Sequence, residues 1–187
     1  MIVDTTCSTK RRWPVYADLR LDHNPAVKPD IVADCRHLPL PDGSADEIYC
    51  DPPHFVRTHG NRELPATVDT VIGPSASAKV GKGYRHFSAW PSMDEYHAFL
   101  TGIDAEFFRV LKHGGRLHYK TTDGSRSRGT TIRWMDAVER LSNFVLVEID
   151  KRVSTGYFAR YHAAKHGTTT YTYYLTFERL AGGGDSE

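Results

Sequence analysis

The stretch Ile48-Tyr49-Cys50-Asp51-Pro52-Pro53-His54-Phe55 joins an apolar run to an acid, two prolines and two rings. Neither proline has a backbone N–H to donate to a sheet, so a strand through Ile48 has to stop near Asp51. Each proline also favours an extended backbone in the residue before it. The stretch therefore predicts a stiff elbow at the carboxyl end of a strand, and in an open α/β sheet ligands bind at that edge.

The groups on this elbow suit one kind of chemistry. A carboxylate oxygen of Asp51 and the backbone carbonyl of Pro52 can accept the two hydrogens of an exocyclic amine on a nucleobase. Such bonds rehybridise the nitrogen, whose lone pair is otherwise conjugated into the ring, and the ring of His54 or Phe55 can stack on an extruded base. The alternative is an ordinary strand-ending turn, because Asp and Pro are both common in turns.

The length and composition indicate one globular domain. A chain of 187 residues with 40% hydrophobic residues can bury a core of ordinary size. We expect a single domain over residues 1–180, with a substrate loop at 55–91, and a disordered tail at 181–187 that contains three consecutive glycines. The sequence has neither an apolar run of transmembrane length nor a signal-peptide pattern, so no membrane association is predicted.

Charge and cysteine usage narrow the function classes further. The formal net charge is +1, so any nucleic-acid surface has to be a local patch. The cysteines are Cys7, Cys35 and Cys50, an odd number without a CxxC pair. This usage indicates a reducing compartment, and we expect a cytoplasmic protein with neither a disulfide framework nor a metal site.

Four short apolar runs each end in an acid, and these acids are Asp4, Asp22, Asp34 and Asp51. Parallel strands whose carboxyl ends share one edge would bring the four carboxylates together. Asp22, which is followed by His-Asn-Pro, is better placed to bind ribose hydroxyls than Asp18, which lies within the strand pattern. Both residues could instead be solvated acids at a strand end.

Taken together, these motifs resemble the class I methyltransferases that use S-adenosylmethionine. The resemblance is carried by Asp22-x-Asn-Pro, Asp30-Ile-Val-Ala-Asp34, Leu38-Pro-Leu-Pro-Asp-Gly-Ser44 and Asp51-Pro-Pro-His54. The last of these is similar to the Asp-Pro-Pro-aromatic signature of amino-methyltransferases. The resemblance implies an α/β fold with a Rossmann-like methyltransferase sheet, mostly parallel with an antiparallel strand pair at the C-terminal end, and helices on both faces.

The resemblance also implies roles for individual residues. The catalytic residues would be Asp51, Pro52, Pro53 and His54. Asp22 would bind the ribose and Asp34 the adenine amino group, with the Cys35 backbone near the ring. Further contacts to S-adenosyl-L-methionine would come from Asp51 and from the first loop, which comprises Asp4, Thr5, Thr6, Cys7 and Ser8. The family usually has a glycine-rich loop here, whereas this chain has no glycine between Met1 and Pro41.

Residues 55–91 follow the elbow and mix basic, aromatic and glycine residues. A loop of this length is uncommon in a compact domain unless it is functional or disordered. We predict that it clamps a nucleic-acid substrate, and the alternative is an insertion without a function. The candidate substrate-binding residues are Phe55, Arg57, His59, Lys79, Lys82, Arg85 and His86.

The second half of the chain predicts two helices and three strands. Ser92 and Glu95 form a capping box for a helix over Ser92–Leu111, which Gly114-Gly115 ends. A strand then runs through Tyr119 and leaves Lys120 on an exposed loop. The remaining elements are a helix over Thr130–Leu141 with Ile132, Met135, Val138 and Leu141 on one side, and strands over Phe144–Ile149 and Tyr171–Phe177.

The sequence therefore predicts an S-adenosylmethionine-dependent methyltransferase that acts on an exocyclic amine of a nucleobase in DNA or RNA. It leaves open a protein or small-molecule N-methyltransferase of the same fold, and a non-catalytic protein that binds cofactor or nucleic acid. A homodimer and an accessory subunit are open as well.

Overall fold

The computed structural model of the protein describes residues 1–7, 13, 15–54, 58–59, 62–63, 90, 92–123, 132–154, 169 and 171–181. The strands are β1 (Ile2–Asp4), β2 (Leu19–Asp22), β3 (Ile31–Val32), β4 (Ala45–Cys50), β5 (Thr58–His59), β6 (Arg62–Glu63), β7 (Leu111–Asp123), β8 (Phe144–Val153) and β9 (Tyr171–Arg179). The helices are α1 (Met93–Val110), α2 (Trp134–Arg140) and a short 3-10 helix over Pro25–Val27.

Seven strands form one sheet in the order β3-β2-β1-β4-β7-β9-β8. β9 runs antiparallel to both of its neighbours, β7 and β8, whereas the pairs among β3, β2, β1, β4 and β7 are all parallel. The predicted mostly parallel sheet with an antiparallel pair at the C-terminal end is confirmed. The carboxyl ends of the parallel strands consequently share one edge. β5 and β6 form a separate antiparallel pair.

The core lies between the sheet and α1. The helix begins as predicted, because the Ser92 Oγ accepts the backbone N–H of Glu95 at 3.2 Å. Tyr96 and Tyr119 are both almost fully buried, and their hydroxyls lie 3.1 Å apart, which gives each phenol a polar partner in the apolar interior. Further fully buried side chains are Leu100, Ile103 and Phe107 from α1 and Ile48 and Leu117 from the sheet.

Both α-helices of the described residues pack on the same face of the sheet. The α2 residue Trp134 stacks on Tyr173, which shares its face with the side chains that contact α1. On the opposite face, the ring of Trp13 packs edge-on against Tyr49 and Tyr174, at centroid distances of 5.0 and 5.7 Å. The β2–β3 connection is too short for an α-helix and contains the one-turn 3-10 helix instead.

Some predicted boundaries also need correction. Gly114-Gly115 does not end α1 but lies within β7, where Gly114 has φ +70° and a Cβ on Gly115 would lie 2.8 Å from the Lys112 carbonyl oxygen. β7 continues past Tyr119 because β9 pairs with it as far as Asp123, so Lys120 is part of the strand.

One further expectation about the helices is wrong in part. Of the four residues predicted on the apolar side of α2, Ile132 and Leu141 are buried and Val138 packs against the core, whereas Met135 is 44% exposed and Ala137 is buried instead. Among the described residues, no helix combines the length and the apolar character that are needed to cross a membrane.

Candidate active site

The elbow at Asp51 follows β4 directly and is fixed at both ends by side chains from other segments. The backbone N–H of Asp51 donates to the Thr6 Oγ at 2.6 Å. The indole N–H of Trp90 donates to the Pro53 carbonyl oxygen at 2.8 Å. β4 ends at Cys50, so these two backbone groups lie beyond the strand, and side chains provide their hydrogen-bond partners instead.

The Asp51 carboxylate lies between two basic side chains. Lys120 Nζ is 2.6 Å from Oδ2, and His54 Nε2 is 2.9 Å from Oδ1, although the latter contact is not aligned as a hydrogen bond. The three side chains are 9, 18 and 13% exposed for Asp51, Lys120 and His54. Burial raises the pKa of Asp51, but His54 and Lys120 outweigh it and lower that pKa to about 2. Asp51 is therefore a charged hydrogen-bond acceptor and a weak base.

Asp4, at the end of β1, is a second buried carboxylate near the elbow. It is 8% exposed and accepts the Thr6 backbone N–H at 3.1 Å. Burial raises its pKa to about 6, and the negative charge of Asp51 acts in the same direction. The positive charge of Arg20 opposes this shift without cancelling it, so a cation bound beside Asp4 would further favour the ionised form.

The loop after β1 is held by hydrogen bonds to its neighbouring strands. The Thr5 hydroxyl donates to the Tyr49 carbonyl at 3.1 Å, and the Cys7 backbone N–H donates to the Leu21 carbonyl at 3.1 Å. Thr6 connects this loop to Asp51, as described above. The threonine side chains and the backbone bonds thus fix the loop that follows β1.

Asp22 and Asp34 stand at the next two strand ends and make local contacts. Asp22 is the last residue of β2, and its Oδ1 accepts the Asn24 backbone N–H at 3.0 Å. Asp34 lies two residues beyond β3 and accepts the Arg36 backbone N–H at 2.9 Å and its guanidinium at 2.6 Å. The hydrogen bond from the Arg36 side chain lowers the pKa of Asp34. Burial raises the pKa of Cys35 to about 12, so its thiol is protonated.

The structure thus brings the predicted catalytic residues together with the first loop. Asp4, Thr6, Asp51 and His54 form one contiguous group, whereas Asp34 is engaged by Arg36 on the far side of β2. Among the described side chains, no group of three or more His, Cys, Asp or Glu residues could hold a metal ion. The backbone of His59 lies in β5, and its side chain is outside the description. The other predicted contacts outside the described residues are Ser8, Phe55, Arg57, Lys79, Lys82, Arg85 and His86.

Two residues of the site did not follow from the sequence reasoning. Lys120 lies in β7 and not on the exposed loop that the sequence predicts, and no sequence pattern indicates Trp90. The signal for Lys120 is the pairing of Cys50 with Tyr119 in the β4–β7 ladder, which brings the following residue of each strand together. No local pattern pointed to Trp90, whose contact with Pro53 joins residues 37 positions apart.

Comparison with known proteins identifies the fold. No family model matches the chain, and no curated protein matches its sequence. A solved structure of "SAM-dependent methyltransferases" from Methanosarcina mazei aligns with 97% of this chain and 92% of its own, at 10% identity and a TM-score of 0.53. The geranyl diphosphate C-methyltransferase from Streptomyces coelicolor A3(2), in complex with S-adenosyl-L-homocysteine, aligns over 96% and 71%, at 10% identity and a TM-score of 0.55.

The same fold also occurs with other chemistry. The [4+2]-cyclase SpnF aligns with 97% of this chain and 74% of its own, at 13% identity and a TM-score of 0.52. At such identities a structural likeness shows the fold alone, and function has to be argued from the site. The chain has the Rossmann-like fold of these methyltransferases.

Proposed function

We propose that this protein is an S-adenosylmethionine-dependent methyltransferase that acts on an exocyclic amino group of a nucleobase in DNA or RNA. The observation that carries the proposal is the Asp51 carboxylate. It is buried, it is ionised at neutral pH, and two prolines hold it at the carboxyl end of β4. The adjoining Pro52 carbonyl provides the second acceptor that an amine with two hydrogens requires.

The residues of this edge fit a cationic cofactor with a ribose. The fit rests on Asp4, a buried carboxylate whose pKa is raised even though the positive charge of Arg20 acts to lower it, so a further cation beside Asp4 would favour its ionised form. We assign Asp22 to the ribose, Asp34 with the Cys35 backbone to the adenine, and Asp4 to Ser8 with Asp51 to the remainder of the cofactor. When bound, the cofactor supplies a methyl group whose bond to sulfur breaks with the electron pair passing to sulfur, while the amine nitrogen forms the new bond and releases one proton to water.

The role of Asp51 in this proposal is to accept hydrogen bonds and orient the amine. With a pKa of about 2, it does not retain a proton at neutral pH, so general-base catalysis is not asked of it. Positioning and electrostatic stabilisation of the charge that develops on the nitrogen are then the main contributions of the elbow.

The nucleic-acid part of the proposal rests on sequence composition. Positive side chains can bind phosphates and rings can stack on bases, and residues 55–91 contain both directly after the elbow. We assign substrate binding to Phe55, Arg57, His59, Lys79, Lys82, Arg85 and His86. His54 takes the place of the usual aromatic residue of the motif, and its contact with Asp51 ties its ring to the acceptor.

The test is methyl transfer from labelled S-adenosylmethionine to separate pools of DNA, tRNA, rRNA, protein and small-molecule amines. Transfer to a nucleic-acid pool with the label on a base nitrogen would support the proposal. Transfer to protein or to small molecules alone would show that the substrate belongs to that class and not to the nucleic acids. Calorimetry with S-adenosylmethionine completes the test, because cofactor binding without transfer to any pool would indicate a non-catalytic accessory protein.

A further inference from the structure

Lys120 lies beside Asp51 because of the register between β4 and β7. Cys50 is opposite Tyr119 in this parallel pair, so the following residues, Asp51 and Lys120, are also neighbours. Successive side chains of a strand point to opposite faces. Tyr119 faces α1, and Lys120 therefore projects from the other face, where its Nζ lies 2.6 Å from Asp51 Oδ2.

A second pair on the same two strands provides a comparison. At the opposite end of the ladder, Lys112 Nζ lies 2.7 Å from Asp46 Oδ1, and both side chains are 49% exposed. In the Lys120–Asp51 pair, the exposed fractions are 18 and 9%. Water screens the outer pair, whereas the inner pair interacts through a medium of lower dielectric constant. The inner pair is therefore the one whose charges influence each other strongly.

Asp4 shows how burial acts on a carboxylate at this edge of the sheet when the opposing positive charge, here that of Arg20, is weaker. Both carboxylates are buried at neighbouring strand ends, yet the pKa of Asp4 is raised to about 6 and that of Asp51 is lowered to about 2. The charged and titratable side chains that the structure places against Asp51 are Asp4 from β1, His54 from the elbow and Lys120 from β7. A histidine is positive only when it is protonated, whereas the lysine ammonium is a donor throughout the neutral range.

We propose that Lys120 is a positioning residue for the methyl transfer proposed above, and that its ammonium keeps the Asp51 carboxylate ionised and oriented toward the substrate amine. The inference rests on the proposed function. A carboxylate oxygen has two lone-pair directions, so Oδ2 can accept from Lys120 and from a substrate N–H together. A protonated Asp51 would instead direct an O–H at the hydrogens of the amine, and the acceptor pair with the Pro52 carbonyl would be lost.

The test is the pH dependence of single-turnover methylation, with saturating cofactor at each pH. Lys120→Met removes the ammonium, Lys120→Arg retains a positive charge, and Lys112→Met is the matched control on the outer pair.

Wild type and Lys112→Met should keep a level rate from pH 8 down to pH 5. Because His54 also lowers the pKa of Asp51 and remains in Lys120→Met, that pKa should rise to a value between those of wild-type Asp51 and Asp4, and the fall in rate at acidic pH should begin at a correspondingly higher pH. Lys120→Arg should restore the level profile. A Lys120→Met profile that superimposes on wild type would overturn the inference.

A second readout does not require activity. The carboxyl ¹³C signal of Asp51 should titrate below pH 3 in wild type and at a higher pH in Lys120→Met, or in Lys120→Gln if the methionine variant does not fold. Equal titration in both proteins would overturn the inference even if the wild type transferred no methyl group. A wild type that transfers nothing while Asp51 shifts as expected would instead refute the proposed function, so the two failures are distinguishable.

Discussion

At the scale of single residues, the charge state of Asp4 links the site to pH. Its carboxylate is 8% exposed, and burial raises its pKa to about 6, so the group changes charge just below neutral pH. A bound cation favours the ionised form of Asp4, so a cation should bind less tightly when Asp4 is protonated. Asp51, with a pKa of about 2, stays ionised over the same range.

The affinity for S-adenosylmethionine should therefore fall as the pH decreases through about 6. Asp4→Asn should bind the cofactor more weakly at pH 8 and should lose the pH dependence, because its side chain does not ionise. Calorimetry between pH 5 and pH 8 measures both effects. Asp94→Asn, an exposed acid in the first turn of α1, is the control and should behave as wild type. An affinity of the wild type that is constant over this range would contradict the assignment of Asp4.

The same pKa predicts a change in stability with a definite sign. Between pH 3.8 and about 6 the folded protein binds a proton at Asp4 more strongly than the unfolded chain does, so the free energy of unfolding falls as the pH rises through this window. The free energy of unfolding of Asp4→Asn, relative to that of wild type, should therefore be about 2–3 kcal/mol higher at pH 7 than at pH 4, at about 1.4 kcal/mol per pKa unit. Urea denaturation of both proteins at the two pH values measures this change. If the difference between variant and wild type is the same at pH 4 and pH 7, the pKa of Asp4 is not raised by folding.

At the scale of elements, the elbow is held by side chains from three separate segments. Thr6 binds the backbone of Asp51, Trp90 binds the Pro53 carbonyl, and Lys120 binds the Asp51 carboxylate. Trp90 also packs against Phe99 of α1 at a centroid distance of 4.6 Å. The elbow is thereby connected to the helical layer as well as to the sheet.

Trp90→Phe isolates one of these connections, because it keeps an aromatic ring against Phe99 and removes the indole N–H. The lost hydrogen bond to Pro53 should cost about 0.5–1.5 kcal/mol of the free energy of unfolding, beyond the loss of packing. Trp134→Phe is the control: Trp134 lies in α2 and stacks on Tyr173 of β9, so this variant estimates the loss of packing alone. Urea denaturation of both variants gives the difference, and equal losses would show that the Pro53 bond contributes nothing.

The elements also show how far the sequence could predict the structure. Local signals were sufficient for the start of α1 at the Ser92 cap and for the end of β4 at two prolines. They could not place the end of β7, because the strand is prolonged by its ladder with β9, which comes 48 or more residues later in the chain. The contact between Asp51 and His54 could be predicted because the two residues are close in sequence. The contact between Asp51 and Lys120 could not, because it depends on the register between β4 and β7.

At the scale of the whole molecule, the parallel strands direct several carboxylates to one edge of the sheet. Asp4, Asp22 and Asp51 stand at the ends of β1, β2 and β4, and this negative edge would repel a phosphate backbone. With a formal net charge of +1, the proposed binding of nucleic acid would require a local basic segment, for which we propose residues 55–91.

Replacing Lys79, Lys82 and Arg85 together by alanine should accordingly weaken nucleic-acid binding across all sequences. The slope of log K against log salt should also become shallower, by about 0.7–0.9 for each phosphate contact that is removed. Fluorescence anisotropy with labelled DNA and RNA at several salt concentrations measures the slope, and cofactor affinity should not change. An unaltered slope would exclude these three residues from the phosphate contacts.

The central claim is that the Asp51 carboxylate accepts hydrogen bonds from the substrate amine, and single-turnover methylation by Asp51→Asn tests it most directly. The substitution keeps the size of the side chain and replaces one acceptor oxygen by a donor. A mispaired hydrogen bond to a charged group costs about 1.5–3 kcal/mol, so the rate should fall at least about tenfold. The measurement uses saturating cofactor, and Asp46→Asn, at the exposed end of the same strand, should react as wild type. A rate for Asp51→Asn close to that of wild type would mean that the elbow is only a turn.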